Sequence, residues 1–293
     1  MTPIKTMLIV DGDGLLVRSH CAVGKEIINQ HNMAVGGIDK FIHVVRRQIR
    51  TWDADAVFIA FDPTGPTTLR HQQYKAYKGT RPPKEESLIY IKSIIAPIMR
   101  ALGAATGQDD DYEADDLVGA MVRATAGGSW RAVVSSHDKD LLGLTENEHV
   151  VVSPPFQQEP MYAKDVVEKL NVEPSRMMDY LALLGDSVDN IPGVDGCGKV
   201  KASALLRRYG SLESIVEAAK KGEIPKKVGD NLRLQGARAI AFKKLMTLYT
   251  DAPVLEANAC SIKDPDYTVL LPLLKSNNLM KLYDEAYKDS TGA

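Results

Sequence analysis

The chain has 293 residues, 44% of them hydrophobic and 25% charged, with 36 Lys and Arg against 38 Asp and Glu for a formal net charge of −2. That balance is ordinary for a globular chain of one or two domains, and it excludes a global field that would draw in nucleic acid or membrane. Any such partner has to be held by locally segregated charge.

MLIVD (7–11) opens the chain with a buried-strand pattern, and its charged turn comes too soon for a signal peptide. A helical spacing follows over 36–52, then a second apolar run, AVFIAFD (56–62). Residues 63–84 read as neither strand nor helix, and a segment that long in a compact domain is commonly functional or disordered. Helical patterns over 85–102, interrupted by Pro97, and over 113–126 lead to strands at 131–136 and 149–153. This alternation predicts βαβ units on a mostly parallel sheet, that is, an α/β core over residues 1–160. Beyond it, AKDVVEKL, PSRMMDYLALLGD, KVKASALLRRYG, SLESIVEAAKKG and LQGARAIAFKKLMTLY predict a helical subdomain over 161–293. Cys21, Cys197 and Cys260 are too far apart for a zinc knuckle or a redox dithiol. No run reaches the roughly 18 apolar residues of a membrane span, so a cytoplasmic protein without membrane contact is expected.

Acids recur at the ends of the predicted strands. Asp11 and Asp62 end the first two, and Asp138 and Asp140 follow the third. The run Asp109–Asp116 holds six carboxylates in eight positions and opens the helix of 113–126 with Glu113, Asp115 and Asp116. Helix capping accounts for any one of these acids. Several of them on one rim would raise one another's pKa unless a cation intervened, and an all-oxygen ligand set suits magnesium, manganese or calcium. The spacing of an EF-hand is absent, which leaves a divalent-metal site assembled from distant segments.

A second acidic pair, Asp186 and Asp189, precedes GVDGCGKVKASALLRRYGS (193–211). Gly193, Gly196 and Gly198 permit a tight turn with exposed amides beside Lys199 and Lys201, a pattern suited to gripping a phosphate backbone without reading bases. Between Pro63 and Lys84 lie five Lys or Arg residues and no acid. Arg70 and Lys75 could pair with phosphates there while Tyr74 and Tyr77 stack on bases, although a solvated basic loop would look the same. Carboxylates beside phosphate contacts point to metal-assisted phosphodiester hydrolysis.

The motifs VDGDGLLVRSH, FD…RHQQYKAYKGTRPP, YEADDLVGA, DKDLL and LALLGDSVDNIPGVDGCGKVKASALLRRYGS stand in one order from Met7 to about Leu212. In this the chain resembles the 5′ nuclease (flap endonuclease) superfamily, above all the 5′–3′ exonuclease domain of bacterial DNA polymerase I and its free-standing bacterial and phage relatives. The resemblance implies a PIN-like core with a helical arch at 63–84 and a helix-hairpin-helix at 174–211. It also implies two divalent ions, Mg2+ or Mn2+, the first at Asp11, Asp62, Glu113, Asp115 and Asp116 and the second around Asp138, Asp140, Asp186 and Asp189. Lys78 and Arg81 match the basic residues acting on the scissile phosphate, and Tyr77 an aromatic that stacks on substrate. The hairpin matches one that commonly holds K+. The implied partner is branched or nicked double-stranded DNA with a 5′ end or flap, cut by a monomer to leave 5′-phosphate ends.

His137 stands where that group has glycine before DKD, and Val200 where the hairpin often has lysine. No polymerase domain follows, so a free-standing nuclease is expected. Two rivals remain open: a structure-specific DNA-binding protein with weakened catalysis, and a PIN-type metal ribonuclease.

Overall fold

The computed structural model describes residues 4–23, 27–65, 68–125, 130–156 and 159–291. Five strands form one parallel sheet in the order β3-β2-β1-β4-β5: β1 Lys5–Asp11, β2 Ala56–Phe61, β3 Ala105–Gln108, β4 Trp130–Ser135 and β5 Val150–Val152. The chain winds outward through β2 and β3, then returns to place β4 on the other side of β1. Their carboxyl ends diverge at this switch in strand order, leaving a crevice for a ligand. In β1, Met7 and Ile9 enter one hydrophobic cluster and Leu8 and Val10 the other, as the two-residue period of a strand covered on both faces requires.

Helices α1 Gly12–Ala22, α2 Gly36–Trp52 and α4 Glu86–Ala101 cover the Leu8 face. The short α3, Leu69–Gln73, lies in the long connection before α4. Contrary to the expected break, α4 runs through Pro97. Ile91, Ile95 and Ile98 form a continuous buried stripe, so packing holds the helix where the proline removes one backbone donor.

The Met7 face is covered by α5 Ala114–Thr125 and by the helices that follow the sheet, α7 Met177–Leu184, α8 Lys199–Tyr209, α9 Leu212–Lys220 and α10 Lys226–Met246; α6, Ala163–Leu170, precedes them. The two final helices, α11 Tyr267–Ser276 and α12 Met280–Thr291, return to the opposite face. There Leu270, Leu274, Leu279 and Leu282 join the core beside α4. A two-residue antiparallel ladder, Gly185–Asp186 with Ile191–Pro192, closes the loop that carries the second acidic pair. Gly185 (φ 78°) and Gly193 meet across that ladder, where a Cβ on Gly193 would lie 2.3 Å from the Leu184 carbonyl. Gly193 is thus a packing glycine as well as a turn glycine.

Candidate active site

The strand ends bring the expected acids to one rim. Asp11 ends β1 and caps α1, accepting from the Gly14 amide at 2.9 Å and from Ser136 Oγ at 2.8 Å. Asp62 follows β2 and accepts from the Ala114 amide at 2.9 Å, at the start of α5. Asp138 caps a 3-10 turn after β4 through the Asp140 amide at 2.9 Å. Asp186 accepts from the Val188 amide at 2.8 Å in the ladder loop.

A cleft of about 290 Å³ is lined by Asp11, Asp138, Asp140, Asp186 and Asp189, with Arg81 and Lys139 at its edge. A second, of about 510 Å³, holds Asp13, Asp62 and Glu113 with Lys78, Lys84 and Lys92. Residues 74–81 form a strap whose Arg81 lines both clefts. The strap is pinned to the ladder loop. The Lys78 amide donates to the Asp189 carbonyl at 3.1 Å, Asn190 Nδ2 to the Ala76 carbonyl at 2.7 Å, and the Arg81 guanidinium pairs with Asp189. Lys78 Nζ reaches Glu113 Oε1 at 2.9 Å, and Lys139 Nζ reaches Asp186 at 2.8 Å.

Crowded charge sets the protonation of the rim. Burial first, then the neighbouring Asp62 and Asp13 charges, push Asp11 up to about 6. Burial, then Asp138, push Asp140 up to about 7. Asp115 is driven well above the carboxylate range by burial and by Asp11 and Asp138. Burial acts on Asp62 as well, but Lys78, the Ala114 amide and Lys92 together outweigh it and hold that acid low. Asp186 is likewise held low against its burial by Lys139.

Among the described residues, no three His, Cys, Asp or Glu side chains stand as a ready coordination shell. The donor chemistry nevertheless fits a hard cation. Every acid offers oxygen, four of them resist ionisation, and the buried Asp140 Oδ1 has no hydrogen-bond partner among the described residues.

Three expected roles need correction. Arg70 is 3% exposed and donates to Leu245 O at 2.8 Å, to Asp116 at 2.5 and 2.7 Å and to Glu113 at 3.3 Å, so it cannot reach a phosphate. Asp116 is fully buried and takes the Glu113 and Tyr249 amides besides Arg70, so its oxygens are engaged by the chain itself. Tyr77 is 4% exposed, its hydroxyl donating to Glu113 at 2.9 Å and Asp189 at 3.2 Å, which removes its ring from base stacking. Tyr74 is half-buried against Phe242, whereas Lys75 is exposed.

At the hairpin, Gly196 takes φ 75°, and among the described residues the amides of Gly196, Gly198 and Lys199 donate to nothing in the protein. Lys199, Val200 and Lys201 are exposed at the start of α8. His137 lies against Phe156 with ring centroids 5.7 Å apart.

Sequence reasoning missed Asp13, Lys92, Lys139 and Ser136. Asp13 accepts from the Asp62 amide and from Lys92 Nζ, both at 2.7 Å. The DGDG spacing was the available sign for Asp13; the cations lie on distant elements and gave none.

Two family models cover nearly all of this architecture. Residues 6–171 match the 5′–3′ exonuclease N-terminal resolvase-like domain, and residues 172–268 match the 5′–3′ exonuclease C-terminal SAM fold. The chain belongs to the 5′–3′ exonuclease family. It is 30% identical to a 5′–3′ exonuclease of Aquifex aeolicus across 98% of both chains. It is also 30% identical to DNA polymerase I of Bacillus subtilis, over 87% of this chain but only 29% of that longer protein. Bacteriophage T5 5′-exonuclease with bound zinc shares the fold, with a TM-score of 0.71 at 20% identity over 93% of this chain and 100% of that one. The catalytic core of Rad2 in complex with DNA substrate follows at 0.61 and 14% identity, over 97% of this chain and 91% of that one. The 5′–3′ exonuclease family therefore supplies both the enzyme class and the α/β fold expected from the motifs. Among the described residues, no helix is long and apolar enough to cross a membrane.

Proposed function

We propose that the chain is a structure-specific 5′ nuclease that hydrolyses branched or nicked DNA at the acid rim and leaves 5′-phosphate ends. One observation carries this reading: a cationic strap lies across carboxylates drawn from five separate connections, with Lys78 on Glu113 and Arg81 on Asp189. Cations so placed can transfer from carboxylate to phosphate when a strand enters.

Asp11, Asp62, Glu113 and Asp115 would hold one divalent ion, and Asp138, Asp140, Asp186 and Asp189 a second. Bound magnesium or manganese supplies a Lewis acid and an acidified water. Lys78 and Arg81 then offset charge that builds on the phosphoryl oxygens. Asp116 supports the ligand-bearing turn from beneath. The free amides of Gly196 and Gly198, with Lys199 and Lys201, grip the duplex backbone, and a K+ ion at that turn is part of the same reading. T5 flap endonuclease with DNA and metal ions has this fold, which supports the assignment of DNA and divalent metal as substrate and cofactor.

The test is cleavage of a 5′-flap duplex with magnesium, with and without chelator, beside Asp138→Ala. Metal-dependent cutting by the wild type, and binding without cutting by the variant, is expected. Intact flaps, nicks and recessed 5′ ends after incubation with magnesium would overturn the proposal.

A further inference from the structure

Helix α10 joins the hairpin to the floor of the acid rim. Asn231, Gln235 and Arg238, four and three residues apart, share one of its faces. Gln235 and Asp195 exchange two hydrogen bonds: the Asp195 amide donates to Gln235 Oε1 at 2.8 Å, and Gln235 Nε2 donates to Asp195 Oδ2 at 2.7 Å. Asn231 Nδ2 donates to the Asp195 carbonyl at 2.7 Å, and Arg238 Nη2 to the Gly193 carbonyl at 3.3 Å.

The other end of α10 terminates on Arg70. Leu245 O and Thr247 O accept from that guanidinium at 2.8 and 3.2 Å, and the Tyr249 amide donates to Asp116 at 2.9 Å. Arg70 and Asp116 in turn hold Glu113 from below. Ala239, Phe242, Leu245 and Met246 are buried, and the helix packs along α7 and α9, so it cannot bend freely. From Gln235 to Leu245 the helical rise gives about 15 Å of rigid rod.

The base of the turn is tied to α7, where the Val194 amide donates to the Leu183 carbonyl at 2.9 Å and Val194 and Cys197 are buried, but its tip has no such hold. Gly196 sits in the left-handed region, and a Cβ on Gly198 would meet only open space. The position of that tip relative to the rim is therefore set by the side chains of α10 that hold Asp195, acting with the tie to α7.

We propose that α10 is a ruler that fixes the separation between the duplex grip and the acid rim, and so selects which phosphodiester is cut. Gln235 and Asn231 are its positioning residues; they touch the hairpin and need not touch DNA. The proposal rests on the reading of rim and hairpin given above.

The experiment maps cut positions on a labelled 5′-flap duplex with the full chain and magnesium, together with KM and the single-turnover rate at saturating DNA. Gln235→Ala combined with Asn231→Ala should spread cutting onto neighbouring phosphodiesters and raise KM about fivefold, the scale of one net hydrogen bond. The saturating rate summed over all cuts should stay within about twofold, because the acids are untouched. Gln235→Glu alone sets two carboxylates together and should behave as the alanine pair does. Gln235→Glu with Asp195→Asn restores the reciprocal pair with donor and acceptor exchanged, and should return the wild-type cut and KM. Leu234→Ala, at a site 81% exposed on the same helix, is the control and should change nothing. Circular dichroism on each variant confirms the fold.

An alanine pair with the wild-type pattern and KM overturns the ruler, as does a folded exchanged pair that fails to restore them. A wild-type chain that cuts no DNA overturns the nuclease reading itself, and the ruler with it.

Discussion

Arg70 places all three guanidinium nitrogens inside the protein, on two carboxylates and two main-chain carbonyls. Burial pulls its pKa down, but Asp116 above all, then Glu113 and Tyr77, outweigh it and raise the pKa further, and the Tyr249 ring lies 5.0 Å from its carbon. Removing it would strand Asp116, which has no exposed surface, as a buried carboxylate without its counter-charge. Arg70→Ala should cost about 3–5 kcal/mol of unfolding free energy, the scale of breaking one partner out of a buried ion pair. Arg70→Lys should recover only part of that, because an ammonium cannot present the planar fork that binds both Asp116 oxygens. Urea unfolding of the three proteins measures it, and a loss of less than about 1 kcal/mol for Arg70→Ala would show the pair to be dispensable. The sequence displays Arg70 as one more cation in a basic loop, and its burial arises only when α3, α5 and the end of α10 meet. The acids were legible because strand ends repeat them; their partners were not, because Lys92 and Lys139 come from segments with no local relation to the acids they hold.

The strap is a short element whose order depends on what lies beneath it. The five-residue helix α3 that precedes it is too brief to hold it, and the strap's own turns are fixed by the ladder loop through Asn190, Asp189 and Ser187. Asn190 has φ 56°, so glycine there keeps the backbone while deleting the bond from Nδ2 to the Ala76 carbonyl. Asn190→Gly should speed amide exchange at Tyr77–Arg81 about fivefold, with exchange in β1 and β4 unchanged. Equal protection in both proteins would mean that the loop does not anchor the strap. Legibility varied among elements for physical reasons. The strands β1, β2 and β4 announce themselves through apolar runs buried on both sides. The edge strand β3, with the sequence ATGQ, is half-exposed and carries no such run. Helix α1 begins GDG, which resembles a turn, and becomes a helix because Asp11 caps it and Leu15 and Leu16 are buried against the sheet.

Across the whole molecule, the rim should make stability depend on pH and, on the proposed reading, on divalent ions as well. Asp11, Asp13, Asp115 and Asp140 bind protons more tightly in the folded chain than in the unfolded one, burial being the leading cause at each. A raised acid pKa contributes stability that is fully present below the unfolded value near 4 and is lost as pH rises through the folded value. The upper ends of that window are about 6 for Asp11 and about 7 for Asp140. Asp62 and Asp186 act with the opposite sign, but their lowered pKa values place that effect below the unfolded value, outside the window. The melting temperature of the chelated protein should therefore fall as pH rises from about 5 to about 7.5. On the proposed reading, magnesium or manganese bound at the rim would favour its ionised form, so either ion should raise the melting temperature more at about pH 7.5 than at about pH 5. Thermal melts at both pH values, each with chelator and with excess metal, make the comparison. Melting that ignores both pH and metal would mean that the crowded carboxylates are not a shared ion site. A larger metal effect at the lower pH would require ligands other than these acids.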